Sequence, residues 1–272
     1  MDLVCAGGAE RVLIFGAMTK KFTGKSAFVT GASSGIGFAV AGLLDRSGAN
    51  PLILFDRVEP VLRETCGHIR GAQLIAGHVA DEVMWADAAP LLDELDLAVV
   101  NAGVTSSGLI DTLDFTEWRR VMSTNLDGAF LSIRAAMRAM KRHGRGGAIV
   151  VNASASGLKA EAGIAAYGAS KAALLHLTRI AAKEGAAHGI RVNAIAPGGV
   201  KTPIWQQAES FRNLVEASGS EDAAFADLAK TATPLGRFAT ADEIAAQIAF
   251  LLSDDAATIT GATLTSDGGY SA

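Results

Sequence analysis

Short apolar runs alternate along the chain with longer stretches in which apolar positions return every three or four residues. The runs are Ala27-Phe28-Val29, Leu52-Ile53-Leu54-Phe55, Gln73-Leu74-Ile75-Ala76, Leu97-Ala98-Val99-Val100, Ala148-Ile149-Val150-Val151, Arg191-Val192-Asn193-Ala194-Ile195 and a last one near Thr263-Leu264. They lack the every-second-residue alternation of a half-exposed strand, as expected of strands covered on both faces. Helical patterns fall between them at about 35–48, 81–94, 115–143, 164–188 and 240–253. This alternation predicts an α/β fold, a doubly wound parallel sheet of about seven strands with helices on both faces. Residues 203–233 break the pattern, with Trp205, Phe211 and Phe225 scattered among alanines and acids. A long segment of that kind is usually functional; the alternative is a surface helical hairpin whose aromatics pack inward.

Composition narrows the class. The chain has 272 residues, 50% of them hydrophobic, enough to build one large α/β core. We read residues 25–272 as a single domain preceded by an N-terminal extension, 1–24. A net charge of −4 gives no reason to expect nucleic acid. The densest basic stretch, Lys141, Arg142, His143 and Arg145, ends a predicted helix, where cations suit the macrodipole. Cys5 and Cys66 have no metal-ligand or redox spacing, so no metal is expected and a reducing cytoplasm is the simplest setting. Val12-Leu13-Ile14-Phe15 is apolar, but Asp2, Glu10 and Arg11 interrupt a signal-peptide layout, and Met18 is a possible alternative start. The apolar runs are too short to span a bilayer.

Candidate chemistry lies in three places. Gly31, Gly35 and Gly37 follow a predicted strand and open a predicted helix, the context in which a glycine turn cradles a pyrophosphate. Asp56 ends the second strand, where a carboxylate can accept hydrogen bonds from both adenosine ribose hydroxyls and repel a 2′-phosphate. Arg57 beside it could instead stack on adenine or grip that phosphate. Tyr167 and Lys171 share a helix face at i and i+4. A phenol titrates at about 10, and a cation beside it favours the phenolate, so Lys171 is expected to lower the Tyr167 pKa. Ser154 lacks the Gly-x-Ser-x-Gly elbow and partner His of a nucleophilic serine, which leaves it a donor and positioner. Asn125 is polar in an apolar helical face and, taken alone, is equally well a buried structural Asn.

These motifs, in this order, resemble those of the short-chain dehydrogenase/reductase family in its single-domain type with a Tyr-x-x-x-Lys active site. The likeness runs from about Lys25 to Gly269. Thr30-Gly31-Ala32-Ser33-Ser34-Gly35-Ile36-Gly37 matches the cofactor turn and Asn101-Ala102-Gly103 the strand-four motif; Asn125, Ser154, Tyr167 and Lys171 match the catalytic tetrad. Pro197-Gly198, Thr202 and Asp267-Gly268-Gly269 also fall in register. The resemblance implies a Rossmann-like fold and reversible oxidation of a secondary alcohol with NAD, NADP being the less favoured cofactor. It implies a cofactor site built from Gly31, Ser33, Ser34, Gly35, Ile36, Gly37, Asp56, Arg57, His78, Val79, Asn101, Ala102, Gly103, Tyr167, Lys171, Pro197, Gly198, Val200 and Thr202. It also gives Asn125 a water in a proton path, makes 203–233 a substrate lid, and implies a homotetramer. His78 departs from the family, which commonly has Asp at the adenine edge; its ring can donate or accept there. Apolar residues near Ala155, Leu158, Ile164, Gly199, Ile204 and Trp205 favour an apolar or cyclic alcohol or ketone. Alternatives are an NADP-dependent carbonyl or 3-oxoacyl-type reductase and a non-catalytic NAD sensor.

Overall fold

A computed structural model describes residues 21–272. Cys5, the run Val12–Phe15, Met18 and most of the proposed extension lie outside the described residues. Seven strands form one sheet: β1 (Ser26–Thr30), β2 (Leu52–Asp56), β3 (Gln73–Ala76), β4 (Leu95–Val100), β5 (Gly147–Asn152), β6 (Ile190–Pro197) and β9 (Thr263–Ser266). Their order is β3-β2-β1-β4-β5-β6-β9, and every pairing is parallel. The two-residue strands β7 (Val200–Lys201) and β8 (Ala239–Thr240) pair separately. The helices are α1 (Gly35–Arg46), α2 (Glu59–Cys66), α3 (Glu82–Ala88), α4 (Phe115–Met122), α5 (Gly128–His143), α6 (Ala165–Ala186), α7 (Glu209–Ser218), α8 (Glu221–Ala232) and α9 (Ala241–Leu252).

Strand side chains feed two cores. Phe28 joins Ile53, Phe55 and Trp85 on one face, against α3, α5 and α6. Its neighbours Ala27 and Val29 turn to the other face and join Leu54, Val40 and Ile248, against α1 and α9. The central strands are mostly apolar because successive residues enter different cores. Phe55 and Trp85 pack with ring centroids 4.7 Å apart.

The structure corrects two readings and bears out one alternative. Helix α2 was not predicted, since Glu-Pro-Val-Leu-Arg-Glu-Thr-Cys is short and buries only Leu62 and Cys66. The stretch expected to be one helix over 115–143 contains a π turn, Ser123–Asp127, between α4 and α5. Residues 203–233 form a short turn and the helical pair α7 and α8, whose Phe211 and Phe225 pack inward on Trp205 and Phe238.

Two polar residues inside β6 have structural work. The Arg191 guanidinium donates to the carbonyls of Leu251 (2.8 Å), Leu252 (3.1 Å) and Ser253 (3.0 Å), closing the C-terminal end of α9. Asn193 donates to the Ile259 carbonyl and accepts from the Ala262 amide, holding the chain as it enters β9. Arg191→Ala removes this donor from the Leu251 and Leu252 carbonyls, while the Ser253 carbonyl keeps the Ala256 amide, and hydrogen bonds to a charged group contribute about 1.5–3 kcal/mol each without adding fully. We expect urea denaturation to show a loss of about 2–4 kcal/mol, with Arg191→Lys recovering only part. A loss under about 0.5 kcal/mol would mean that this clamp does not hold α9.

Candidate active site

The sheet order reverses between β1 and β4, and at the C-terminal ends of the strands there a cleft of about 690 Å³ opens. At one end lies the β1–α1 turn. Gly31 has φ +66°, in the left-handed region. A Cβ on Gly37 would stand 2.0 Å from the Gly31 carbonyl oxygen, so α1 packs onto the turn only with glycine there. The Ser34 side chain makes no capping hydrogen bond, and the first turn of α1 carries no acid. The backbone N–H groups at this helix end are thus left for a ligand, which fits a pyrophosphate.

Asp56, at the end of β2, receives the Ser33 amide on one oxygen (3.1 Å) and the Arg57 amide on the other (2.7 Å). Each oxygen keeps a further lone pair for a ligand. Asn101 braces the turn from behind, donating to the carbonyls of Thr30 (3.0 Å) and Gly31 (3.2 Å). The Thr30 hydroxyl accepts from the amides of Asn101 and Ala102.

At the other end stand Ser154, Tyr167 and Lys171, all lining the cleft. Ser154 leaves β5 in extended backbone; its hydroxyl oxygen accepts the Ser156 amide at 3.1 Å and hydrogen-bonds Tyr167. Ser156, the neighbouring hydroxyl, thus supports Ser154 through its backbone. A Cβ on Gly157 would sit 2.7 Å from the Lys171 backbone, so this glycine lets the Ser154 loop close on α6. The Lys171 ammonium donates to the Asn152 carbonyl at 2.9 Å and lies 5.6 Å from the centre of the Tyr167 ring.

The electrostatics differ from the expectation that Lys171 lowers the Tyr167 pKa. Burial pushes the Tyr167 phenol up, and the Ser154 hydrogen bond offsets only part of this. Burial also pulls Lys171 down to about 8. In the protein by itself desolvation dominates for both groups.

Of the remaining residues from the sequence reading, Ser34, Gly35, Ile36, Arg57, His78, Val79, Ala102, Gly103, Pro197, Gly198, Val200 and Thr202 line the cleft. Ser33, Gly37 and Asn125 do not: Ser33 meets Asp56 through its amide, Gly37 lies inside α1, and Asn125 is wholly buried in the π turn. Asn125 donates to the Val104 carbonyl (2.9 Å) and Ser170 hydroxyl (3.0 Å) and accepts the Val104 amide (2.8 Å). It fastens the β4 loop to α6. His78 has little left for an adenine: Nδ1 accepts the Ala80 amide (3.1 Å), and Nε2 lies 3.3 Å from the Thr124 hydroxyl. Among the apolar candidates, Ala155, Ile164, Gly199, Ile204 and Trp205 line the cleft, whereas Leu158 is exposed outside it.

Sequence reasoning missed Asn152, whose carbonyl holds Lys171 and whose side-chain amide donates to Asn101 at 2.8 Å. A polar residue closing the apolar run of β5 was the available signal. It also missed Ser170, whose hydroxyl donates to the Tyr167 carbonyl at 2.7 Å, and the cleft-lining pair Glu161 and Tyr270.

A family profile described as enoyl-(acyl carrier protein) reductase matches residues 31–271. The chain is 38% identical to a cis-4-hydroxycyclohexanecarboxylate dehydrogenase of Sinomonas cyclohexanicum, over 94% of this chain and 100% of that protein. It is 31% identical, over 94% and 100%, to an NADP-dependent (R)-specific alcohol dehydrogenase of Lentilactobacillus kefiri. A solved short chain dehydrogenase/reductase family protein superposes with a TM-score of 0.80 at 32% identity, covering 93% of this chain and 100% of that one. With this sheet, this cleft and these relatives, the chain belongs to the short-chain dehydrogenase/reductase family and is an oxidoreductase acting on CH–OH groups.

Proposed function

We propose that the protein interconverts a secondary alcohol and a ketone with NAD, on a small apolar or cyclic substrate. The observation that carries this reading is the meeting, in one cleft, of an uncapped helix N-terminus and Asp56 at one end with Ser154, Tyr167 and Lys171 at the other. A nicotinamide cofactor, when bound, supplies the hydride acceptor or donor at the carbinol carbon. Gly31 to Gly37 would hold its pyrophosphate, Asp56 its adenosine ribose, and Pro197, Val200 and Thr202 its carboxamide.

The protein's own residues then orient and protonate. Ser154 positions the substrate oxygen, and Tyr167 gives or takes its proton. Burial keeps the phenol protonated in the free protein, which suits it as the donor in the reduction direction. Lys171 raises the acidity of Tyr167 once a second positive charge enters the cleft. For Asn125 we keep two duties, the observed brace and the proposed hold on a water in the proton path. The α7–α8 hairpin is the proposed lid, since Trp205 and Ala208 at its base line the cleft. The apolar lining and the ring substrate in the name of the Sinomonas cyclohexanicum relative support a cyclic alcohol. Arg57, exposed beside Asp56 and lining the same cleft, is the feature that favours a second reading with NADP. We further propose a homotetramer that covers Phe130 of α5 and Ile180 of α6, both exposed in the single chain, and a reducing cytoplasm that keeps the buried Cys66 thiol free. No helix among the described residues is long and apolar enough to cross a membrane.

Tyr167→Phe should lower kcat by a hundredfold or more while leaving NAD affinity within about twofold. Retention of over a tenth of kcat, a loss of only ~1.4 kcal/mol, would remove Tyr167 as the principal acid–base group. Asp56→Ala should cut NAD efficiency on the order of tenfold and raise that with NADP, as ribose hydrogen bonds and phosphate repulsion both vanish. An unchanged ratio of kcat/KM for the two cofactors, or a wild-type preference for NADP, would show that Asp56 does not read the ribose.

Lys171 makes a prediction about stability. Its folded pKa of about 8 lies below its unfolded value near 10.4, so charging it opposes folding. That cost is full below about pH 8 and fades as pH rises toward 10.4. Lys171→Met should therefore abolish activity yet stabilise the cofactor-free protein at pH 7 by about 1–3 kcal/mol, allowing for the hydrogen bond lost at Asn152. Urea denaturation should show this advantage shrinking at pH 9.5; a variant less stable than wild type at pH 7 would contradict the argument.

A further inference from the structure

Beyond the groups that the proposed chemistry uses, the cleft carries little charge. Among the acids and bases lining it, Asp56, Arg57 and His78 stand toward the glycine turn, and Lys171 is buried at the reaction centre. The one left over is Glu161. It lies on the loop between Ser154 and Tyr167, which is tied to the β4 loop where the Gly108 amide donates to the Gly163 carbonyl at 2.8 Å and Gly108 bridges Ile164. Glu161 is thus carried at the chemical end of the cleft by a braced loop.

The cation beside it is engaged elsewhere. Lys159, the cation nearest in sequence, is not part of the lining; its ammonium donates to the Tyr270 carbonyl at 2.7 Å and stands 4.3 Å from the centre of the Tyr270 ring. The Asp267 carboxylate accepts the amides of Gly269 and Ser271 and adds negative charge near the same corner. The Tyr270 hydroxyl is buried and closes no hydrogen bond of full geometry, yet burial and the neighbouring Glu161 carboxylate push its pKa up, so it remains a protonated donor.

We propose that Glu161 sets the charge class of the substrate: the group remote from the carbinol is neutral or cationic, and a carboxylate there is rejected. This rests on the alcohol–ketone reading above. An anionic group remote from the carbinol meets the like charge of Glu161, since the one cation lining that end, Lys171, is buried and held by the Asn152 carbonyl, whereas an ammonium meets a counter-charge. Glu161 is exposed, so solvent and salt reduce the effect to a preference.

The test uses three cyclohexanols carrying a methyl, an aminomethyl or a carboxylate group at the ring position opposite the hydroxyl, compared by kcat/KM in wild type and Glu161→Gln. Wild type should rank methyl and aminomethyl above carboxylate. Glu161→Gln should raise the carboxylate-to-methyl ratio about fivefold and lower the aminomethyl-to-methyl ratio by a similar factor, both changes shrinking as salt is added. A wild-type preference for the carboxylate, or a substitution that leaves both ratios unchanged, overturns the proposal. If none of the rings turns over with NAD or NADP, the alcohol reading fails for this class. Calorimetric dissociation constants for the same three compounds then decide the charge question: the same order, levelled by Glu161→Gln, supports the role of Glu161, and charge-blind binding or none overturns it.

Discussion

The hydrogen bond from the Asn152 side chain to Asn101 is the contact on which the rest of the cleft depends. Asn101 holds the glycine turn through the Thr30 and Gly31 carbonyls, and the Asn152 carbonyl holds the Lys171 ammonium. One side-chain pair between β4 and β5 therefore fixes the distance from the candidate cofactor turn to the candidate catalytic lysine. The Thr30 hydroxyl locks the same crossing by taking two amides. Each of these groups sits where the sheet order reverses, the point at which two neighbouring crossover connections leave in opposite directions and open a crevice.

A second brace works from the other side. Asn125 ties Val104 to Ser170, and Ser170 donates to the Tyr167 carbonyl. The π turn that holds Asn125 interrupts what would otherwise be one regular helix, a departure common where a side chain must be aimed. Between these braces Tyr167 and Lys171 are both desolvated, which disfavours phenolate and ammonium alike. The protein thus holds a lysine that costs stability in the one place where its charge is proposed to act, as functional sites commonly do.

The sheet and the local motifs were legible in the sequence. Strands covered on both faces are mostly apolar, so the central ones were visible as short runs, and the glycine turn and the Tyr167–Lys171 pair were visible because both are local: their geometry follows from spacing within one turn or one helix. Tertiary structure decided what depends on neighbours distant in the chain. The Thr124 contact that occupies His78 Nε2 and the inward packing of Phe211 and Phe225 on Trp205 and Phe238 depend on the folded chain, and no hydrophobic period reveals them or the π turn. The Tyr167 pKa belongs here as well. The i to i+4 rule places a cation near a phenol, but only the packed structure shows that burial of both groups outweighs that attraction. Glu161 and Tyr270 lie on separate loops more than a hundred residues apart, and only the closing of the fold puts both on one cleft wall.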